Sequence, residues 1–179
     1  MTKAKSGLKI AIAGLGVVGS EVARQLINRY DELGMVAGQS LDVVAVSARD
    51  RSADRAFSLD GIDWYDDATQ LATRDDVDII VEMIGGSEGV ALDLARASLS
   101  SGKHFVTANK AMIAHHGTEL AQLAEANNAH LMFEAAVAGG IPAVKTLREG
   151  LAGNQINCVA GILNGTCNYI LSTMETTGR

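Results

Sequence analysis

Leu8-Lys-Ile-Ala-Ile-Ala-Gly-Leu-Gly-Val-Val-Gly-Ser20 is the stretch that decides the fold. Leu8 to Ala13 is an apolar run of strand length, and Gly14, Gly16 and Gly19 follow it directly with the spacing GxGxxG. Beyond them, Val18, Val22, Leu26 and Ile27 recur at helical spacing up to about Tyr30. In a strand–turn–helix context each glycine has a mechanical job. Gly14 permits the tight turn, Gly16 lets backbone approach a pyrophosphate, and Gly19 lets helix and strand pack closely. Val17 and Val18 open the helix, whose N-terminal amides and partial positive charge favour a phosphate. The plain alternative is three glycines that serve only a turn.

Working outward, Leu41 to Ser47 is a continuous Leu/Val/Ala strand, as expected where both faces are covered. The polar stretch from Arg49 to Thr73 predicts a short helix near Ala53–Ser58, a small strand near Ile62–Tyr65 and a helix near Ala68–Thr73. The alternation then resumes with a strand over Val77–Met83, a helix over Val90–Ser100, a strand over His104–Thr107, a helix over Asn109–Ala126 and a strand over His130–Glu134. This order predicts an α/β fold, a doubly wound parallel sheet with helices on both faces. After the small-residue loop Ala135–Gly140, a helix is expected from Ile141-Pro142 to about Leu151, then a strand over Ile156–Leu163 and a helix over Thr166–Thr176. The division that follows is a dinucleotide-binding domain over 1–150 and the beginning of a second, α+β domain over 151–179.

The composition narrows the function. Of 179 residues 47% are apolar and 20% charged, and 15 basic against 21 acidic side chains give a net charge of −6. An acidic chain without a Lys/Arg-rich block offers no attraction to nucleic acid or an anionic membrane. No segment has the ~18 uninterrupted apolar residues of a membrane helix. The two cysteines, Cys158 and Cys167, have neither CxxC spacing nor a histidine pattern, so no disulfide or zinc site is expected and a reducing cytoplasm is the expected location. The nineteen glycines with a single proline point to places where bare backbone meets a ligand.

Further candidates lie at the carboxyl ends of the expected strands. The second strand ends Val46-Ser-Ala-Arg-Asp-Arg51, with no acid at its tip to hold a ribose 2′-hydroxyl and with Arg49 beside it. That favours NADP, Arg49 contacting the 2′-phosphate, although Asp50 turned inward would favour NAD. Gly85-Gly86 would let cofactor lie over bare backbone, or is a simple turn. In Val106-Thr-Ala-Asn-Lys110, Thr107 or Asn109 can cap the next helix. Lys110 then sits in the first turn, where a cation is disfavoured. There it is either a surface lysine or a donor to a carbonyl oxygen during hydride transfer. Glu134, followed by a loop rich in free carbonyls, suits a hard cation, or else caps the helix starting near Pro142. His115 and His116 point to different helix faces and are read as surface histidines.

Taken together, Gly14–Gly19, Val106–Lys110, Phe133–Pro142 and Gly161-Ile-Leu-Asn-Gly-Thr-Cys-Asn-Tyr-Ile-Leu171 resemble homoserine dehydrogenase over the whole chain. The resemblance implies a Rossmann-type cofactor domain and NAD(P)-dependent interconversion of aspartate 4-semialdehyde and homoserine, on the route to threonine, isoleucine and methionine. It implies a cofactor set of Gly14, Gly16, Val17, Val18, Gly19, Arg49, Gly85, Thr107 and Lys110, with Lys110 between nicotinamide and substrate. Glu134 and the main-chain oxygens of Val137, Gly139 and Ile141 match the family's monovalent cation site, with sodium as the ion. Gly165 and Thr166 match its substrate-binding turn. The family continues into an acidic segment with an Asp and a Lys that complete the catalytic site, and dimerises through that domain. The expectation is therefore a truncated chain that binds cofactor without appreciable turnover. A stand-alone NAD(P)H-binding sensor is the alternative, discriminated by the substrate turn, which a sensor does not need.

Overall fold

A computed structural model describes residues 7–161 and 164–178. Six parallel strands, β1 (Leu8–Ala13), β2 (Leu41–Ser47), β3 (Asp63–Tyr65), β4 (Ile79–Glu82), β5 (His104–Thr107) and β6 (Leu131–Met132), form one sheet in the order β3-β2-β1-β4-β5-β6. The chain winds outward to one side from β1, then returns to start the other side at β4. The order therefore reverses between β1 and β4, which opens a crevice at their carboxyl ends.

Alternate residues of β1 serve opposite faces of the sheet, as strand geometry requires. Ile10 and Ile12, with Val46 and Val81, pack against Val22, Leu26 and Ile27 of α1 (Val17–Asn28). Ala11 and Ala13, with Ile80 and Phe105, meet Leu92, Leu94 and Leu99 of α3 (Val90–Ser100) and Met112 and Leu120 of α4 (Lys110–Ala126). Alanines on the second face let α3 and α4 approach closely. Helices on both faces of a parallel sheet are the doubly wound α/β fold, and α3 and β5 have the ends their sequence pattern predicts.

Several segments depart from expectation. The first helix ends at Asn28 and a second, α2 (Tyr30–Ala37), begins at once, the break falling at Arg29 (φ −113°, ψ 29°). No helix forms over 53–58, because the Arg55 guanidinium takes the carbonyls of Asp50 and Ala53 and folds that stretch into an irregular loop. The 68–73 segment is a 3-10 helix whose start is capped by Asp67. β6 is two residues long and Glu134 lies in a 3-10 turn, Glu134–Ala136. The helix expected to Leu151 is α5 (Ala143–Lys145) running into a wide π-type turn, Thr146–Gly150.

The strand expected over Ile156–Leu163 is corrected as well. Residues 156–161 have no ladder partner among the described residues and form no strand, while Ile162 and Leu163 lie outside the described residues. α6 (Gly165–Thr177) follows, capped by the Asn164 side chain on the Cys167 amide at 2.8 Å. Every described residue from Lys145 to Gly178 is exposed. The core therefore belongs to the sheet and its helices.

Candidate cofactor site

A cleft of about 780 Å³ opens at the carboxyl edge of the sheet, with Gly14, Gly16, Arg49, Asp50, Arg55 and Gly85 among its walls. At its centre is the turn between β1 and α1. Gly14 holds φ +95°, where a side chain is strained, and its amide donates to the Ser47 carbonyl at 2.7 Å. A Cβ at Gly19 would lie 1.8 Å from the Gly14 carbonyl oxygen, so helix and strand meet there with no room for a methyl group. A Cβ at Gly16 would meet nothing within 4 Å. Bare backbone there faces open space. Val17 and Val18 continue this rim, 92% and 58% exposed, and no side chain caps the start of α1. Uncapped helix amides beside bare glycine backbone, at the crevice of a doubly wound sheet, suit the pyrophosphate of a dinucleotide.

At the β2 end of the cleft the exposed Arg49 lies beside Asp50, whose carboxylate accepts from the Ser52 amide at 2.8 Å and hydroxyl at 2.7 Å. The Ser52 hydroxyl, then its amide, hold this carboxyl below its ordinary range. Asp50 is thus engaged by its own loop. Arg55, which sequence reasoning missed because it fell inside an expected helix, is a second cation on this wall. Its guanidinium donates to the Ala53 carbonyl at 2.9 Å and the Asp50 carbonyl at 2.5 Å and lies 5.3 Å from the centre of the Trp64 ring. Its buried Nε has no partner among the described residues.

At the β4 end, Gly85 and Gly86 both have positive φ, +83° and +89°. Beneath them lies Glu82, fully buried at 0% exposure. It accepts from the Ile84 amide at 2.6 Å, the Gly85 amide at 2.9 Å and the Thr107 hydroxyl at 2.5 Å. The Thr107 oxygen in turn accepts from the Asn109 amide at 2.9 Å. Asn109 donates from its side chain to the Gly86 carbonyl at 2.6 Å, and its side-chain oxygen caps α4 on the Met112 amide at 3.1 Å. Of the two expected cappers Asn109 is the one used, with Thr107 one bond behind it; the chain of bonds ends at the Met112 amide, and Lys110 is the exposed first residue of α4. A smaller cavity of about 150 Å³ is lined by Val18, Glu82, Gly85, Ala108 and Asn109. Glu82 also escaped the sequence reading. A lone acid closing an apolar strand just before Gly85-Gly86 was the available signal.

Val17, Gly19, Thr107 and Lys110 line neither cavity, and the remaining candidates lie outside both as well. The Glu134 carboxylate accepts from the amides of Val144 at 3.0 Å and Lys145 at 2.8 Å, the capping role weighed for it in the sequence. Between them Ala138 and Gly139 take left-handed conformations (φ +57° and +62°), and the Ile141 carbonyl accepts from Ala143 at 2.8 Å. Gly165 and Thr166 are the exposed first residues of α6. His116 contacts Glu88 at 2.8 Å, and both cysteines are free and exposed. Among the described residues no group of three His, Cys, Asp or Glu side chains is placed to hold a metal ion, and no helix is long and apolar enough to cross a membrane.

Fold and glycine turn together define a Rossmann-type, dinucleotide-binding domain. A family model described as "Homoserine dehydrogenase, NAD binding domain" matches residues 14–134, and one described as "Homoserine dehydrogenase" matches 142–179. The chain belongs to the homoserine dehydrogenase family. The homoserine dehydrogenase of Corynebacterium glutamicum is 47% identical over 97% of this chain, and that of Mycobacterium tuberculosis 44% identical over 94%. This chain spans 38% of the length of each of those relatives. Among solved structures, a homoserine dehydrogenase from Thiobacillus denitrificans superposes with a TM-score of 0.81 at 37% identity, covering 97% of this chain and 40% of that one. A hyperthermophilic archaeal homoserine dehydrogenase in complex with NADPH superposes at 0.62 with 26% identity, covering 82% of this chain and 50% of that one.

Proposed function

We propose that this chain supplies the cofactor-binding surface and part of the catalytic surface of an NADP-dependent homoserine dehydrogenase. The reaction is the interconversion of aspartate 4-semialdehyde and homoserine, on the biosynthetic route to threonine, methionine and isoleucine in the cytoplasm. The observation that carries this reading is the bare Gly16 backbone and uncapped α1 N-terminus facing one continuous cleft from Arg49 to Gly85, in a chain of this family. Gly14, Gly16, Val17, Val18 and Gly19 would cradle the pyrophosphate, and Gly85 and Thr107 would border the nicotinamide half. Arg49 would meet a 2′-phosphate. Asp50 being engaged by Ser52 supports NADP over NAD, since a carboxylate turned onto the ribose would repel that phosphate.

Bound nicotinamide would supply or accept the hydride. Lys110, held at the start of α4 by the Asn109 cap, would donate to the substrate oxygen and stabilise negative charge developing there. Gly165 and Thr166 would bind the amino-acid portion of the substrate. Glu134 and the carbonyls of Val137, Gly139 and Ile141 would hold a monovalent cation, sodium by preference, for which a single carboxylate and neutral oxygens suffice. The domain boundary is placed at about residue 150, and the active assembly is a homodimer or larger. Because Gly165 and Thr166 are exposed and apart from the cleft, residues 1–179 are expected to bind cofactor without appreciable turnover. Calorimetric titration with NADPH and NADH tests the cofactor assignment. NADPH should bind more tightly and Arg49→Ala should erase most of the difference, whereas tighter NADH binding would reverse the assignment. Measurable homoserine oxidation by these residues alone would overturn the division of labour.

A further inference from the structure

Glu82 is the one carboxylate of the described chain with no exposed surface, and all its hydrogen-bond partners are neutral, two amides and a hydroxyl. No ion pair among the described residues includes it. Burying a charge without a counter-charge is costly, and hydrogen bonds offset only part of that cost. A side chain of the same shape without charge, or an aliphatic one, would close β4 more cheaply.

Its position suggests what completes it. The carboxylate grips the amides of Ile84 and Gly85 and borders the smaller cavity, which shares Met83, Ile84 and Gly85 with the main cleft. The glycine turn fixes the middle of a bound dinucleotide, and the Arg49 and Asp50 end lies over β2. The nicotinamide half must then extend over β4 and β5, on the Glu82 side of the switch point. An oxidised nicotinamide ring is a cation, and the reduced ring is neutral.

We propose that Glu82 is the buried counter-charge for the oxidised nicotinamide ring, a cofactor redox-state selector that strengthens binding of the oxidised over the reduced dinucleotide. The same carboxylate positions the Ile84–Gly86 loop and, through Thr107 and Asn109, the start of the helix that bears Lys110. A purely structural Glu82 would act on both redox states alike, whereas a charge acts on one. This inference rests on the cofactor reading above.

The test is calorimetric titration of the 1–179 chain with NADP+ and NADPH, and of its Glu82→Gln and Glu82→Asp variants, with circular dichroism to check folding. In the wild type, oxidised nicotinamide mononucleotide should bind more tightly than its reduced form, since these two ligands differ in ring charge at constant phosphate. Glu82→Gln keeps the shape of the side chain, and should lower the preference for NADP+ over NADPH by about tenfold, as expected of one poorly screened charge. Glu82→Asp keeps the charge and should hold that preference within about threefold of wild type. Equal weakening of both redox states in Glu82→Gln would overturn the proposal while leaving cofactor binding intact. Should Glu82→Gln not fold, the wild-type comparison decides, and reduced mononucleotide binding as well as oxidised overturns it. Failure of the wild type to bind either dinucleotide would overturn the cofactor reading itself.

Discussion

Gly16 and Gly19 lie three residues apart and make opposite demands on a methyl group. At Gly19 an added Cβ would stand 1.8 Å from a backbone oxygen, which cannot yield as a side chain can. Gly19→Ala should therefore cost at least the about 1–3 kcal/mol typical of overpacking, read as a lower urea midpoint, and should abolish cofactor binding with it. At Gly16 the methyl group meets nothing. Gly16→Ala should leave the unfolding free energy from urea titration within about 0.5 kcal/mol of wild type. Yet it places a carbon where the pyrophosphate would lie, and NADPH affinity should fall tenfold or more in calorimetric titration. The two variants separate the structural from the ligand-facing half of one motif, and equal effects on stability would contradict the geometry.

The elements at the opposite end of the sheet are tied by charge. Arg74, between the 68–73 helix and β4, bonds Asp76 at 2.8 and 2.9 Å, Asp63 of β3 at 2.5 Å and the Tyr65 hydroxyl at 3.1 Å, and Lys9 of β1 stands 3.6 Å from Asp76. The Arg74 hydrogen bonds pull the Asp76 carboxyl down from 3.8 to about 2. A carboxyl whose folded value is depressed adds stability that is complete above its unfolded value and is lost as pH falls through the folded one. The Asp76 contribution should thus be full above about pH 4 and drain between there and pH 2. Solvent screening keeps it modest. In Arg74→Met, urea unfolding across that range should show a shallower fall in stability with acid than in the wild type. An unchanged slope would mean the bonds carry no net stabilisation. Elements of this kind were legible in the sequence where hydrophobic period and caps agree, as for α3, β5 and the Asn109 cap of α4. They were illegible where one distant side chain decides. The 53–58 stretch has helical composition, but Arg55 captures its carbonyls, and a second helix, α2, begins just where the apolar spacing of the first is read to end. For the site, the glycine turn is written in local spacing. Glu82 joins the site only because β4 and β5 pair in register, Glu82 opposite Thr107, which no local pattern encodes.

For the whole molecule, two populations of residues stand out, a sheet with fully buried side chains on both faces and a tail from Lys145 onward with none buried among the described residues. Cutting after residue 150 should leave the urea midpoint and its slope unchanged, since the slope follows the surface exposed on unfolding. A lower midpoint would place the domain boundary further along the chain. The tail also carries Tyr169, Ile170, Leu171 and Met174, 71, 49, 65 and 50% exposed, on one helix. Ile170 and Leu171 each neighbour Met174 along the helix, and exposed apolar surface of this kind promotes association. Sedimentation of the 179-residue chain should grow with concentration, and Leu171→Lys or the cut at 150 should suppress that growth. Near the β2 end of the cleft, Trp64 is the only tryptophan in the sequence. Its ring lies under Arg55 and its Nε1 donates to Asp66 at 3.0 Å, and both of these partners line the cleft. The molecule thus carries a built-in optical reporter. Any change in tryptophan emission on adding a ligand comes from this one ring, so an unlabelled sample can signal when the β2 end of its cleft fills.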